Sequence, residues 1–269
     1  DRGAFMIIDL TGKHAVVTGS TAGIGFAIAK GLAASGAAVV LNGRTEARTK
    51  AAVEALRKEL PKAQVEGVAA DLATAKGAEE FVRRVPQTDI LVNNLGIFEP
   101  KNFEDITDQD WSRFFETNVM SGIRMARAYI PGMKKKDWGR IVFISSESGV
   151  NIPLEMIHYG TTKTAQLAIS RGLAESLAGT GITVNAVLPG PTRSEGVVDF
   201  FGKMAKEQGV SQAQMEKDFV AQHRPSSIIR RLASVDEIAN MVVYACSKEA
   251  SATTGAALRV EGGLLRNIG

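Results

Sequence analysis

Tyr159 and Lys163 stand four positions apart in the run His158-Tyr159-Gly160-Thr161-Thr162-Lys163. On a helix that spacing sets both side chains on one face, about 5–6 Å apart at their β-carbons. A free phenol has a pKa of about 10, too high for easy exchange near neutrality, and a neighbouring cation favours its ionised form. The pair is therefore either a solvated surface contact or a proton-transfer device, and the rest of the chain decides which. Ser146 lies thirteen residues before Tyr159, at the end of the strand-like run Arg140 to Ser146. In a doubly wound sheet ligands bind at the carboxyl ends of strands, so Ser146 stands where chemistry would occur. Asn118 sits beside an apolar stripe through Trp111, Phe114 or Phe115, Val119, Ile123, Ala126 and Ile130. A buried amide needs partners, which makes it a third polar candidate.

The elements that must position these residues are legible as alternation. Short β-branched runs at His14 to Val17, Ala37 to Leu41, Val65 to Ala69, Ile90 to Val92, Ile141 to Ile144, Ile182 to Val187 and Leu258 to Val260 alternate with longer alanine- and leucine-rich segments. That pattern predicts repeated βαβ units in an α/β fold, a single-domain Rossmann-type doubly wound parallel sheet of about seven strands with helices on both faces. Continuous apolar runs suit strands buried on both sides. Residues 191–225 break the rhythm. Such an insertion suits a substrate lid or an oligomer contact, and its Phe200, Phe201, Met204, Met215 and Phe219 hint at a moderately apolar substrate.

After the first strand, Gly19, Gly23 and Gly25 punctuate the run Thr18 to Gly25 ahead of a helix-like segment. Glycines there let the backbone approach a pyrophosphate, whose charge the free N–H groups of a helix N-terminus favour. The second strand ends Leu41-Asn42-Gly43-Arg44. An acid at this place bonds a ribose 2′-hydroxyl, whereas an arginine accommodates a 2′-phosphate. Gly43 takes the acid's place and Arg44 follows, which favours NADP(H), with NAD(H) the alternative; the bland reading is that Arg44 pairs with Glu46 on the surface.

With 269 residues, 45% of them hydrophobic, the chain can bury a full core. Its 32 basic and 29 acidic residues nearly balance, so no strong field draws in nucleic acid or anionic lipid. Lys134-Lys135-Lys136 reads as the cationic end of a helix. A lone cysteine, Cys246, excludes an internal disulfide, and no Cys/His spacing suggests a metal. No apolar run is long enough to span a bilayer. The expectation is a cytoplasmic protein, with Asp1 to Phe5 set aside as a cloning remnant ahead of Met6.

Together these motifs resemble the short-chain dehydrogenase/reductase family, from Leu10 to Gly263. They are Thr18-Gly19 with Gly23 and Gly25, Asp71, Asn93 to Gly96, Asn118, Ser146, Tyr159 with Lys163, Pro189-Gly190, and Val260 to Gly263. Three positions depart from the family pattern. Leu95 replaces an alanine and crowds the turn near the adenine ribose, Glu261 replaces an aspartate, and Ala22 stands where many NADPH-dependent members carry a basic residue. The resemblance implies an oxidoreductase that interconverts a ketone or aldehyde and an alcohol by hydride transfer. Tyr159 would be the general acid/base, and Lys163 would lower its pKa and bond the nicotinamide ribose. Ser146, rather than Ser145, would hold the substrate oxygen, and Asn118 would anchor a water that relays protons to Lys163. Cofactor contact extends to Ser20, Thr21 and Ile24 in the turn, to Asp71 and Leu72 at the adenine, to Asn93 and Gly96 on the adenosine side, and to Pro189, Gly190 and Thr192 at the nicotinamide. Glu147, Glu155, Met156 and His158 lie near the expected pocket, His158 reading better as structural. The partners implied are a small carbonyl or alcohol substrate and further copies in a homodimer or homotetramer. Two alternatives stand beside this reading: an NADH-linked sugar or polyol dehydrogenase, and a catalytically silent nucleotide sensor.

Overall fold

A computed structural model describes residues 7–268; Asp1 to Phe5, and the side chain of Phe200, lie outside what is described. The strands are β1 (His14–Val17), β2 (Ala38–Gly43), β3 (Val65–Ala69), β4 (Ile90–Asn93), β5 (Gly139–Ile144), β6 (Ile182–Pro189), the two-residue β7 (Thr192–Arg193) and β8 (Ala233–Ser234), and β9 (Ala257–Val260). Seven of them form a parallel sheet in the order β3-β2-β1-β4-β5-β6-β9, while β7 and β8 pair separately. The chain runs outward from β1 through β3 and then returns to lay β4 against the other side of β1. At that reversal the loops leaving β1 and β4 diverge and open a crevice at the carboxyl ends of the strands.

The helices are α1 (Gly23–Ala34), α2 (Glu46–Glu59), α3 (Ala75–Arg84), α4 (Asp108–Phe115), α5 (Ser121–Lys136), α6 (Ile157–Ser176), α7 (Glu195–Gln208), α8 (Gln212–His223) and α9 (Val235–Ala245). Ile28 and Leu32 of α1, Leu56 of α2 and Val242 of α9 pack with Val17 and Leu41 on one face of the sheet. Phe81 of α3 and Met125 and Tyr129 of α5 pack with Val16 and Val40 on the other. Adjacent residues such as Val16 and Val17 are thus both fully buried, on opposite faces, each burial stabilising by roughly 1.5–3 kcal/mol. That is why the strands read as unbroken apolar runs. α5 ends in Lys134 to Lys136, as the charge pattern predicts, with Lys136 on Asp89 at 2.7 Å.

Two segments differ from the sequence reading. The stretch expected as one helix around Asn118 is α4 and α5 joined by a π turn, Glu116–Met120, with Asn118 at its centre and Phe114, not Phe115, in the core. Residues 191–225 form β7 and a helical hairpin, α7 and α8, with a small core of its own. Phe201, Met204, Met215 and Phe219 pack there with Val197 and Leu232, the rings of Phe201 and Phe219 lying 5.0 Å apart. Phe201 and Met215 are buried within the hairpin, while Met204 and Phe219 are partly buried against that core.

Candidate active site

Ser146 stands two residues beyond the end of β5 and Tyr159 lies in the first turn of α6, which returns over the end of that strand. Ser145 Oγ donates to the Lys163 carbonyl at 2.8 Å and so fastens α6 to the strand end. The next hydroxyl, that of Ser146, acts on the Tyr159 phenol as a polar neighbour that lowers its pKa, and Ser146 Oγ accepts from the Ser148 amide at 3.1 Å. One helical turn on, the Lys163 ammonium lies 5.5 Å from the centre of the Tyr159 ring and donates to the Ile144 carbonyl at 3.0 Å.

The expected effect of Lys163 on Tyr159 needs correction. Burial pushes the phenol up to about 12; the Ser146 side chain opposes this, Glu147 adds to it and Arg224 works against it. Lys163 itself is pushed down to about 8 by burial. Desolvation by burial is the largest cause at both groups, and Lys163 is not among the charges that shift the phenol.

Asn118 is buried, and its amide is largely committed. Nδ2 donates to the Ile97 carbonyl and to Thr162 Oγ1, both at 3.0 Å, while Oδ1 accepts from the Ile97 amide at 2.8 Å. It thereby clamps the segment leaving β4 against α6. A Cβ built on Gly96 would lie 3.4 Å from Lys163 Nζ and 3.5 Å from Asn118 Oδ1, so both polar atoms border the same space over Gly96. His158 is fully buried, its ring 4.0 Å from that of Phe114, and burial pushes its pKa down. It is a core residue, as expected. Glu155 and Met156 lie in the 3-10 turn Leu154–Met156 just before α6, and Glu155 Oε1 comes within 3.9 Å of Arg224.

At the other end of the crevice Gly19 and Gly23 take left-handed backbone angles, φ 58° and 59°, which L side chains rarely adopt. A Cβ on Gly25 would lie 2.5 Å from the Gly19 carbonyl, so only glycine closes the turn onto α1. The α1 N-terminus has no side-chain cap and no acid in its first turn, whereas Thr45, Thr74 and Thr107 cap α2, α3 and α4. Its first amides are therefore left for an anion. Gly19, Thr21, Gly43, Arg44, Leu72 and Leu95 line a cavity of about 360 Å³ beside this turn, and Arg48 lines it too. Arg44 is exposed there, and Glu46, its suggested surface partner, lies 3.6 Å from Arg84. These groups fit the adenosine half of a phosphorylated dinucleotide. A larger hollow of about 710 Å³, at the amino ends of the strands near Lys13 and Pro61, contains none of the residues of the crevice.

Several expected cofactor residues turn their side chains elsewhere. Ser20 Oγ donates to the Val17 carbonyl and accepts from the Asn42 amide, holding the turn from within. The Asn93 side chain packs toward Gly122, its amide without a hydrogen-bond partner among the described residues. Its neighbour Asn94 instead donates to the Thr18 and Gly19 carbonyls at 3.1 and 2.9 Å. Asp71 is exposed and accepts from the Ala73 amide. Ile24 opens α1 half-buried. Pro189 ends β6, Gly190 packs against the Glu261 backbone, and Thr192 Oγ1 donates to the Gly190 carbonyl at 2.8 Å. Leu95 presses on Gly19, as its bulk predicts, and the Glu261 carboxylate accepts from Arg259 and the Leu264 and Leu265 amides.

Four residues escaped the sequence reading. Asn42 accepts from the Gly19 amide at 3.1 Å and ties β2 to the turn. Asn94 performs the clamp just described. Arg48 lies in the first turn of α2, beyond the strand-end position that drew attention to Arg44. Arg224, at the end of α8, donates to Glu147 Oε1 at 3.1 Å and had no local signal, being 77 residues away.

A family model described as short chain dehydrogenase matches residues 13–204. The chain is 46% identical over 263 residues to "Uncharacterized oxidoreductase YvaG" of Bacillus subtilis (strain 168), covering 98% of this chain and 100% of that protein. It is 32% identical over 262 residues to D-beta-hydroxybutyrate dehydrogenase of Cupriavidus necator, covering 94% and 98%. Among solved structures, L-sorbose reductase from Gluconobacter frateurii, complexed with NADPH and L-sorbose, matches with a TM-score of 0.91 and 33% identity over 98% of this chain and 100% of that one. The parallel sheet, the glycine turn and these matches agree, and the chain belongs to the short-chain dehydrogenase family of oxidoreductases acting on CH-OH groups.

Proposed function

We propose that this protein is an NADPH-dependent carbonyl reductase, running in reverse as an alcohol dehydrogenase. The observation that carries the reading is the convergence on Tyr159 of the Ser146 side chain, which acts on its phenol, and of the Lys163 ammonium, 5.5 Å from the centre of its ring, at the mouth of the dinucleotide crevice. When bound, the nicotinamide cofactor supplies or accepts the hydride. Gly19, Gly23 and the bare α1 N-terminus hold its pyrophosphate, and Arg44 with Arg48 hold a 2′-phosphate. The NADPH in the L-sorbose reductase complex supports that cofactor choice.

Ser146 Oγ donates to the substrate oxygen and orients the carbonyl. Tyr159 gives its phenolic proton to that oxygen as negative charge develops there. A phenol held near 12 gives up its proton only as the accepting oxygen becomes more basic, which couples the transfer to arrival of the hydride. Lys163 then stabilises the phenolate electrostatically. Asn118 and Lys163 border the space over Gly96, a place for a water through which the phenol is reprotonated. The α7–α8 hairpin covers the substrate side. Assembly through the helices carrying Asn118 and Tyr159, as a dimer or tetramer, belongs to the same proposal; light scattering that finds a monomer at micromolar concentration overturns it.

The test follows the loss of NADPH absorbance over a panel of ketones, aldehydes, 3-oxoacyl thioesters and keto sugars, for wild type and Tyr159→Phe. Turnover that falls by about 10²–10⁴ in the variant, with NADPH affinity retained, supports the assignment. Turnover that survives the substitution sinks it.

A further inference from the structure

The buried acid beside the reacting pair has half of its carboxylate unused. Glu147 follows Ser146 directly and opens a 3-10 turn, Glu147–Gly149, whose Ser148 amide is held by Ser146 Oγ. It is 3% exposed. Its Oε1 accepts from Arg224 Nε at 3.1 Å and Ser148 Oγ at 3.3 Å, whereas its Oε2 is buried with no hydrogen-bond partner among the described residues. An ionised carboxylate only accepts, and a buried acceptor left unmet is costly, so the atom suits a donor brought by a ligand. Glu147 is the chain neighbour of Ser146, and its charge is among those that act on the Tyr159 phenol.

Arg224 reaches this position from the hairpin. Its Nη1 donates to the His223 carbonyl at 2.8 Å and lies 3.9 Å from Glu155, so the guanidinium stands between two carboxylates. The cluster of Glu147, Glu155 and Arg224 sets two carboxyl groups against one guanidinium. That balance disfavours an anionic substrate group and favours a neutral hydrogen-bond donor.

We propose that the free carboxylate oxygen of Glu147, oriented by Arg224, receives a hydroxyl carried next to the reacting carbon. The substrates are then hydroxylated ketones and the matching polyols, in preference to keto acids and simple ketones. The inference rests on the carbonyl-reductase reading above and narrows it.

The experiment compares kcat/KM for dihydroxyacetone against acetone, and fructose against cyclohexanone, in wild type and Glu147→Gln with NADPH. Calorimetric titration of the NADP-loaded proteins with sorbitol accompanies it. Wild type should prefer the hydroxylated member of each pair by at least ~100-fold, since a site built to bond a hydroxyl rejects an analogue that lacks it. In Glu147→Gln that ratio should collapse to within about tenfold, chiefly through KM, and sorbitol binding should weaken by at least ~10-fold. Arg224→Met should narrow the ratio in the same direction. No hydroxyl preference in wild type, or an unchanged ratio in a Glu147→Gln protein that binds NADPH and melts like wild type, overturns the inference. If Glu147→Gln does not fold, the wild-type preference decides. Ketone reduction without a hydroxyl preference leaves the carbonyl-reductase reading standing and removes this one. Glu147-dependent sorbitol binding without reduction of any carbonyl does the reverse.

Discussion

The Lys163 ammonium donates to the backbone carbonyl of Ile144 at 3.0 Å, two residues before Ser146, so the cation is tied to the strand end that carries the serine. Burial holds its pKa at about 8, below the ordinary 10.5. The residue therefore costs stability while charged.

Lys163→Met is expected to cut kcat by about 10²–10⁴ and yet to stabilise the fold at pH 7. Removing the buried ammonium gains on the order of 3 kcal/mol, less about 1 for stranding the Ile144 carbonyl. The folded pKa is depressed, so between pH 8 and 10.5 the unfolded chain binds more protons and wild-type stability rises with pH. The advantage of Lys163→Met should shrink across that window. Denaturant melts at pH 7, 9 and 10.5 check this; an advantage that does not change with pH contradicts it.

Arg44, just before the Thr45 cap of α2, and Arg48, in the first turn of that helix, border the same cavity. Arg44→Ala should raise the NADPH dissociation constant by about 10- to 100-fold, the worth of a charge-assisted hydrogen bond, and that for NADH by less than about twofold. Arg48→Ala should act in the same sense but more weakly. Fluorescence titration with both cofactors measures it, and equal losses would remove the 2′-phosphate assignment.

Gly43 occupies the place where an acid would select NADH. A Cβ there would lie 2.5 Å from Thr21 Cγ2 and 2.7 Å from Thr49 Oγ1. Gly43→Asp is therefore expected to lower stability by about 1–3 kcal/mol through overpacking and to weaken both cofactors, with no gain for NADH. Pairing it with Thr21→Gly should recover part of the loss. Thermal melts and cofactor titrations separate the two effects.

Gly96→Ala would place a methyl group 3.4 Å from Lys163 Nζ and 3.5 Å from Asn118 Oδ1, an ordinary contact. The fold should tolerate it to within about 1 kcal/mol, while kcat falls because the space shared by those two polar atoms is filled. A large drop in melting temperature with kcat retained would argue against a relay through this space.

Much of this molecule is written locally. The seven strands stand where the apolar runs stand, because a parallel strand buried on both faces needs no alternation to be recognised. The i, i+4 spacing of Tyr159 and Lys163 and the glycines after β1 are likewise local, since one helical turn or one tight bend fixes their geometry. Only the tertiary structure decided what each group experiences. The phenol of Tyr159 moves up rather than down because desolvation depends on everything packed around it. Ser20 and Asn93 carry the right residue types but turn inward, since a backbone path decides which side of a loop meets the crevice. The phenylalanines of the hairpin face each other once α7 and α8 fold together. Arg224 meets Glu147 across 77 residues, a contact that no local spacing encodes and that arises only once the end of α8 lies against the turn after β5.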